Sequence, residues 1–153
     1  TLARCTPLPN VLLGVSVENQ KAADERRGFL EVLAGLGWKM WASNEPALEA
    51  VNWNGWEFLT WMVTGGESGS KARAMPPNAA RGARDFCVRN GIPFFMKQWG
   101  EFSPLSHLPW ITDETTFKCG PIEVGGEVMV RVGKGLAGHV LDGREWREMP
   151  CRS

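Results

Sequence analysis

The sequence predicts an α/β fold built on about four parallel strands. Three observations carry that expectation. The first hundred residues alternate short, almost wholly apolar runs with segments of helical periodicity. Apolar runs without polar alternation suit strands covered on both faces, as in parallel sheets. Gly and Pro stand at the junctions, where chains change direction.

Residues 10–17, NVLLGVSV, read as the first strand. A helix follows, with Ala22, Ala23, Arg26, Phe29, Leu30 and Leu33 at helical spacing and Gly35 or Gly37 as its end. Residues 38–43, WKMWAS, form the second strand, and EPALEAV after it reads as a short helix. Residues 56–65, WEFLTWMVTG, are the third strand. Residues 76–91 are a helix that opens on Pro, aligns Ala79, Ala80, Ala83, Phe86 and Cys87, and stops at Asn90-Gly91. Residues 92–99, IPFFMKQW, are the fourth strand. Such alternation implies parallel strands with right-handed crossovers. Beyond Trp99 the texture changes. GEFSPLSHLPW is loop-like, GPIEVGGEVMVRVGK reads as a β-hairpin turning at Gly125-Gly126, and AGHVLDGREWREMP reads as a short terminal element. The chain divides into a β/α core over residues 1–100 and a C-terminal part over residues 101–153 packed on it.

A chain of 153 residues with 43% hydrophobic content fits one domain with a real core. No apolar run reaches the roughly 18 residues of a membrane span, and no signal peptide is visible. Seventeen basic and seventeen acidic residues balance, which argues against an electrostatically driven nucleic-acid binder and leaves only a local patch for that role. Cys5, Cys87, Cys119 and Cys151 are far apart, with no CxxC, so the chain encodes no zinc ribbon or iron–sulfur loop, and free thiols in a reducing cytoplasm are expected. The chain has eight Trp and no Tyr. Trp38, Trp41, Trp53, Trp56 and Trp61 fall within 24 residues. They are core fillers or, alternatively, a stacking or partner surface.

The strand ends carry the candidate site. The first strand runs into Glu18-Asn19, the second into Glu45, the third into Gly65-Gly66-Glu67, and the fourth ends on Lys97-Gln98. Parallel strands place these ends on one rim, where α/β proteins bind ligands. Glutamates also favour helix N-termini for reasons of the helix dipole alone. The glycines permit close backbone approach, and their N–H groups suit an anion. Neither GGESGSK nor VGKGLAG satisfies the Walker pattern, there is no GxGxxG, and no GxSxG marks a hydrolase. His107 and His139 have no metal-ligand neighbour at helical spacing. Lys71, Arg73, Arg81 and Arg84 read as a solvated basic face, with phosphate contact as the alternative.

Several segments, in order, carry a resemblance: LPNVLLGVSVENQKAADER, ASNEPAL, GGESGSKARAMPPNAARGARDFCVRNGIPFFMKQWGEF and VGKGLAGHVLDGREWREMP. They resemble the phage- and prophage-associated three-cysteine-motif barrel family, which is radical-SAM-like and of uncertain function. The resemblance covers nearly the whole chain. It implies a half of a β/α barrel, corresponding to that family's second half, in the cytoplasm of a phage or prophage host. It also implies S-adenosylmethionine and an iron–sulfur cluster only where an upstream half bears the cysteine triad, since none of the four cysteines here belongs to one. Asn44 stands where that family often has Cys or Val, and His139 where it usually has Arg.

A half-barrel has open sheet edges and an apolar inner face. A missing half, a second copy, a protein partner or the C-terminal hairpin is expected to cover them. Two functions follow as expectations. In the first, the chain has no cluster of its own and acts as a binding or regulatory protein, such as an inhibitor of a host defence protein. In the second, it is the C-terminal half of a radical-SAM-like enzyme that binds cofactor or substrate at the rim.

Overall fold

The computed structural model describes residues 5–109, 111 and 117–150. Cys151 and Thr1 lie outside them. The protein is a mixed α/β fold with a four-stranded parallel sheet and a C-terminal antiparallel hairpin. The parallel sheet comprises β1 (Leu12–Ser16), β2 (Lys39–Asn44), β3 (Leu59–Gly65) and β4 (Phe94–Gln98), hydrogen-bonded in sequence order. Helix α1 (Gln20–Gly35) connects β1 to β2, and α2 (Pro77–Asn90) connects β3 to β4.

Local chemistry explains both helices. The Asn19 side chain accepts the Ala22 N–H at 2.9 Å and caps α1, a contact that stabilises a helix by about 1 kcal/mol. Helix α2 opens on Pro77, whose missing N–H costs nothing in the first turn. It closes on Gly91 at φ 64°, a left-handed position that glycine adopts without strain.

The two faces of the sheet differ. Met40, Ala42, Met62, Phe94 and Met96 are fully buried against the helices, with Ala79, Ala80, Ala83, Phe86 and Cys87 of α2 in the same core. The alternate residues, including Trp41, Trp61 and Phe95, face away from the helices and are only half-buried.

Three local expectations are corrected. Phe29 is 78% exposed on the outer face of α1, because Ala22, Ala23 and Leu30 already supply its buried side. Residues 46–58 form turns and extended chain instead of a short helix. Trp53 and Trp56 anchor that segment in the core, where Trp53 packs on Phe86 at 6.3 Å. The stretch after Trp99 includes a strand, β5 (Phe102–Pro104), which pairs with β7 (Glu127–Arg131), itself paired with β6 (Ile122–Val124) across the Gly125-Gly126 turn.

A one-turn helix, α3 (Lys134–Ala137), leads to the small hairpin β8 (Val140–Leu141) and β9 (Arg144–Glu145). Arg81 and Arg84 of α2 hold its turn through Asp142, at 2.9 and 2.5 Å, and Arg81 also pairs with Glu127. These two guanidiniums, Arg81 first, hold the Asp142 carboxyl below the usual carboxylate range.

The chain then runs along β4. Phe95 bridges antiparallel to Arg147, the Met96 N–H donates to the Trp146 carbonyl at 2.9 Å, and the Glu148 N–H donates to the Phe94 carbonyl at 3.1 Å. This strap covers the β4 edge. Among the described residues no strand pairs with the outer edge of β1. No helix among them is long and apolar enough to cross a membrane.

Candidate functional site

The parallel register stacks the face opposite the helices in layers, because paired residues of neighbouring strands project to the same side. The lowest layer is aromatic. Trp41 pairs with Gly14 on one side and with Trp61 on the other. Gly14 is required there, since a Cβ would stand 2.2 Å from the Trp41 indole nitrogen. The Trp41 and Trp61 rings lie 5.3 Å apart, and Phe95 meets Trp61 edge-on at 6.2 Å. The Trp61 indole N–H donates to the Glu148 carbonyl of the strap at 3.0 Å. The middle layer is small on three strands, with Ser16, Ser43 and Val63 in register, and Phe95 completes it on β4 as the register partner of Val63. The upper layer is charged, with Lys97 donating to Glu45 at 2.9 Å over Gly65. Bulky rings below, small side chains between and an ion pair above leave a groove of about 420 Å³, walled on one side by Arg147 and Met149.

The remaining rim residues are engaged separately. Glu18 pairs with Arg26 at 2.8 Å, and Arg26 also reaches the Ser16 carbonyl. Asn19 is the helix cap. Glu67 receives a two-pronged contact from the Arg73 guanidinium, at 2.7 and 3.0 Å, and the Arg73 backbone N–H at 2.8 Å. That hydrogen bonding from Arg73 holds the Glu67 carboxyl down at about 2, well below its ordinary 4.5.

Gly66 packs backbone to backbone against Trp99, where a Cβ would stand 1.9 Å from the carbonyl oxygen. The Gln98 amide reaches Ser68 at 3.2 Å, and Arg131 donates to the Gly69 and Ser70 carbonyls at 2.8 and 3.0 Å. The glycine-rich loop is thus pinned from both sides. Arg73, Arg81 and Arg84 each hold carboxylates, so they form no open basic face.

The sequence-predicted residues therefore separate. Glu45, Gly65 and Lys97 converge on the groove. Glu67, Gly66 and Gln98 build the adjoining loop, while Glu18 and Asn19 secure the start of α1. Trp41 and Trp61 form the groove floor, whereas Trp38, Trp53 and Trp56 are buried in the helix-side core and present no surface to a partner. Sequence reasoning missed Phe95, Arg147 and Met149 as groove residues. The first sat inside an apolar run, and the other two reach the groove only through tertiary folding of the strap.

Cys87 is fully buried beside Met62, with burial pushing its thiol up to about 12, while Cys5 and Cys119 are exposed. Among the described residues no group of three or more His, Cys, Asp or Glu could hold a metal ion. His107 packs against Trp99, and burial lowers its pKa, while His139 pairs with Glu145.

No curated protein and no solved structure matches the chain. One family model does, over residues 1–150, with the description protein of unknown function (DUF5131). The chain belongs to that family.

Proposed function

We propose that the chain is part of a partial β/α barrel and that it binds a ligand on the sheet face opposite the helices. The observation that carries this reading is the layered inner face. Four parallel strands in sequence order leave one face to the helices, and the other carries an aromatic floor beneath a charged rim at the strand C-termini. Ligand pockets of α/β proteins occupy that position and combine an apolar lining with a few convergent polar groups. The strap closes the β4 edge, so the barrel stays open on that side, and further β/α units join at β1. The chain works as a binding element. Any S-adenosylmethionine or cluster chemistry belongs to polypeptide that carries a cysteine triad.

A second reading has its own observation. The unpaired outer edge of β1 suits a protein partner that adds a strand, whether a complementary half-barrel, a second copy or another protein.

An NMR titration of the chain with a metabolite extract tests the first reading. Amide shifts confined to residues 43–45, 61–67 and 95–98 are expected. Shifts confined to the helix-covered side, or none at all, would overturn it.

A further inference from the structure

Resting on the reading of the inner face as a ligand wall, we propose that the groove takes a planar aromatic anion, of the kind a nucleoside monophosphate represents. The ring belongs on the floor. Trp41 and Trp61 lie side by side at 5.3 Å with their planes 34° apart, half-buried, and they offer an apolar surface that neighbouring side chains do not cover. Stacking on such a surface depends on the flat face of the ligand and tolerates variation in its edges. The middle layer supplies the space over β2 and β3, where Ser43 and Val63 are small, while Phe95, in register with Val63, bounds it on the β4 side. A volume of about 420 Å³ falls within the range of small-ligand pockets.

The charge of the groove sets the sign of the ligand. Glu45 is neutralised by Lys97. Arg147 is different. Its guanidinium lies 4.9 Å from the centre of the Phe95 ring, held there by the antiparallel bridge between the two residues. Among the described residues no carboxylate pairs with it. The groove therefore carries one net positive charge from Glu45, Lys97 and Arg147, with the uncompensated cation at the wall beside the aromatic floor. An arginine fixed on a ring face keeps its outward N–H groups free for a carboxylate or phosphate. A neutral ring would use only the floor, and a cationic one would meet Arg147 unfavourably.

The test follows the tryptophan indole N–H signals of the full chain by NMR during titration with adenosine 5′-monophosphate, adenosine or inorganic phosphate. The monophosphate is expected to move the Trp41 and Trp61 indole signals and to bind about tenfold more tightly than adenosine, a difference that shrinks as salt is raised. Phosphate alone is expected to move neither. Arg147→Met keeps a long side chain over Phe95 and removes the charge. It is expected to bring the monophosphate down to the affinity of adenosine and to leave adenosine unchanged. If that variant shifts the free Trp61 indole signal, showing that the strap has loosened, Lys97→Met carries the test and is expected to weaken the monophosphate selectively. Equal binding of monophosphate and adenosine overturns the anion assignment while the ligand-wall reading stands. Failure of every ring compound to move Trp41 or Trp61 overturns the aromatic assignment, and the extract titration then decides whether the face binds anything else.

Discussion

Lys97 and Glu45 join at 2.9 Å from the ends of β4 and β2, passing over the bare backbone of Gly65 on the strand between them. The contact spans three strands at the rim and needs both long side chains and no side chain beneath. The two neighbouring glycines of this turn thus do different work. Gly65 faces the flexible Glu45 carboxylate, and Gly66 faces rigid backbone.

That difference predicts unequal costs for the same substitution. A Cβ at Gly65 would stand 3.2 Å from the Glu45 oxygen, which can swing aside. Gly65→Ala is expected to change stability by less than about 1 kcal/mol. A Cβ at Gly66 would stand 1.9 Å from the Trp99 carbonyl oxygen, so one of two packed backbones must move. Gly66→Ala is expected to cost about 3 kcal/mol. Urea denaturation of both variants checks this, and equal losses would remove the distinction.

The Glu67–Arg73 pair predicts an acid limit for the glycine-rich loop. Arg73 depresses the Glu67 pKa to about 2 from an ordinary 4.5. A depressed carboxyl contributes its stabilisation in full above the unfolded value and loses it as pH falls through the folded one. The loop is therefore expected to keep its order from neutral pH to about 4.5 and to loosen progressively between there and about 2. Carbon-detected titration of the Glu67 carboxyl, with amide exchange of residues 68–72, measures it. Arg73→Gln should return the midpoint toward 4.5. A wild-type midpoint already there would show that the pair does not form.

The core architecture was legible because parallel strands announce themselves. NVLLGVSV and IPFFMKQW are apolar runs with polar ends, although β1, at the edge of the sheet, is half-buried or exposed along its length rather than covered on both faces, and the alanine row of α2 marks a close-packed helix. Phe29 was not legible, since helical spacing groups it with Leu33 while the narrow buried face of α1 is already filled by alanines. The rim was legible as a set of strand ends but not as a set of pairings. Glu67 finds its partner six residues on, in an arginine whose neighbours suggested a solvated face. Arg147 had no local signal at all, because its place on Phe95 depends on the chain returning from residue 146 to the β4 edge.

The three cysteines among the described residues should react in two classes. Cys87 is fully buried, and burial pushes its thiol up to about 12, so almost none is thiolate at neutral pH. Cys5 and Cys119 are exposed. A disulfide reagent at mildly alkaline pH is expected to modify Cys5 and Cys119 promptly and Cys87 only after denaturant is added. Mass spectrometry of the labelled peptides assigns the sites. Prompt labelling of Cys87 in the folded protein would show that α2 does not seal against β3.

The strap yields the last prediction. Its hold on β4 depends on backbone donors, and the Glu148 N–H is one of them, bound to the Phe94 carbonyl at 3.1 Å. Proline at this position removes that donor, and the Glu148 carboxylate that accepts the Phe94 N–H at 3.0 Å goes with it. Two lost contacts at a part-buried edge are expected to cost about 2 kcal/mol. The larger consequence is geometric. With the strap detached, β4 presents unpaired N–H and C=O groups beside an aromatic inner face, a surface prone to edge-to-edge pairing. Glu148→Pro is therefore expected to melt lower and to associate more strongly with concentration than the parent chain in sedimentation velocity. It should also release the Trp61 indole from the Glu148 carbonyl, moving that N–H signal. If the variant sediments, melts and resonates like the parent, residues 146–148 are not the cover of the β4 edge. The groove wall that Arg147 provides would then have to be held in some other way.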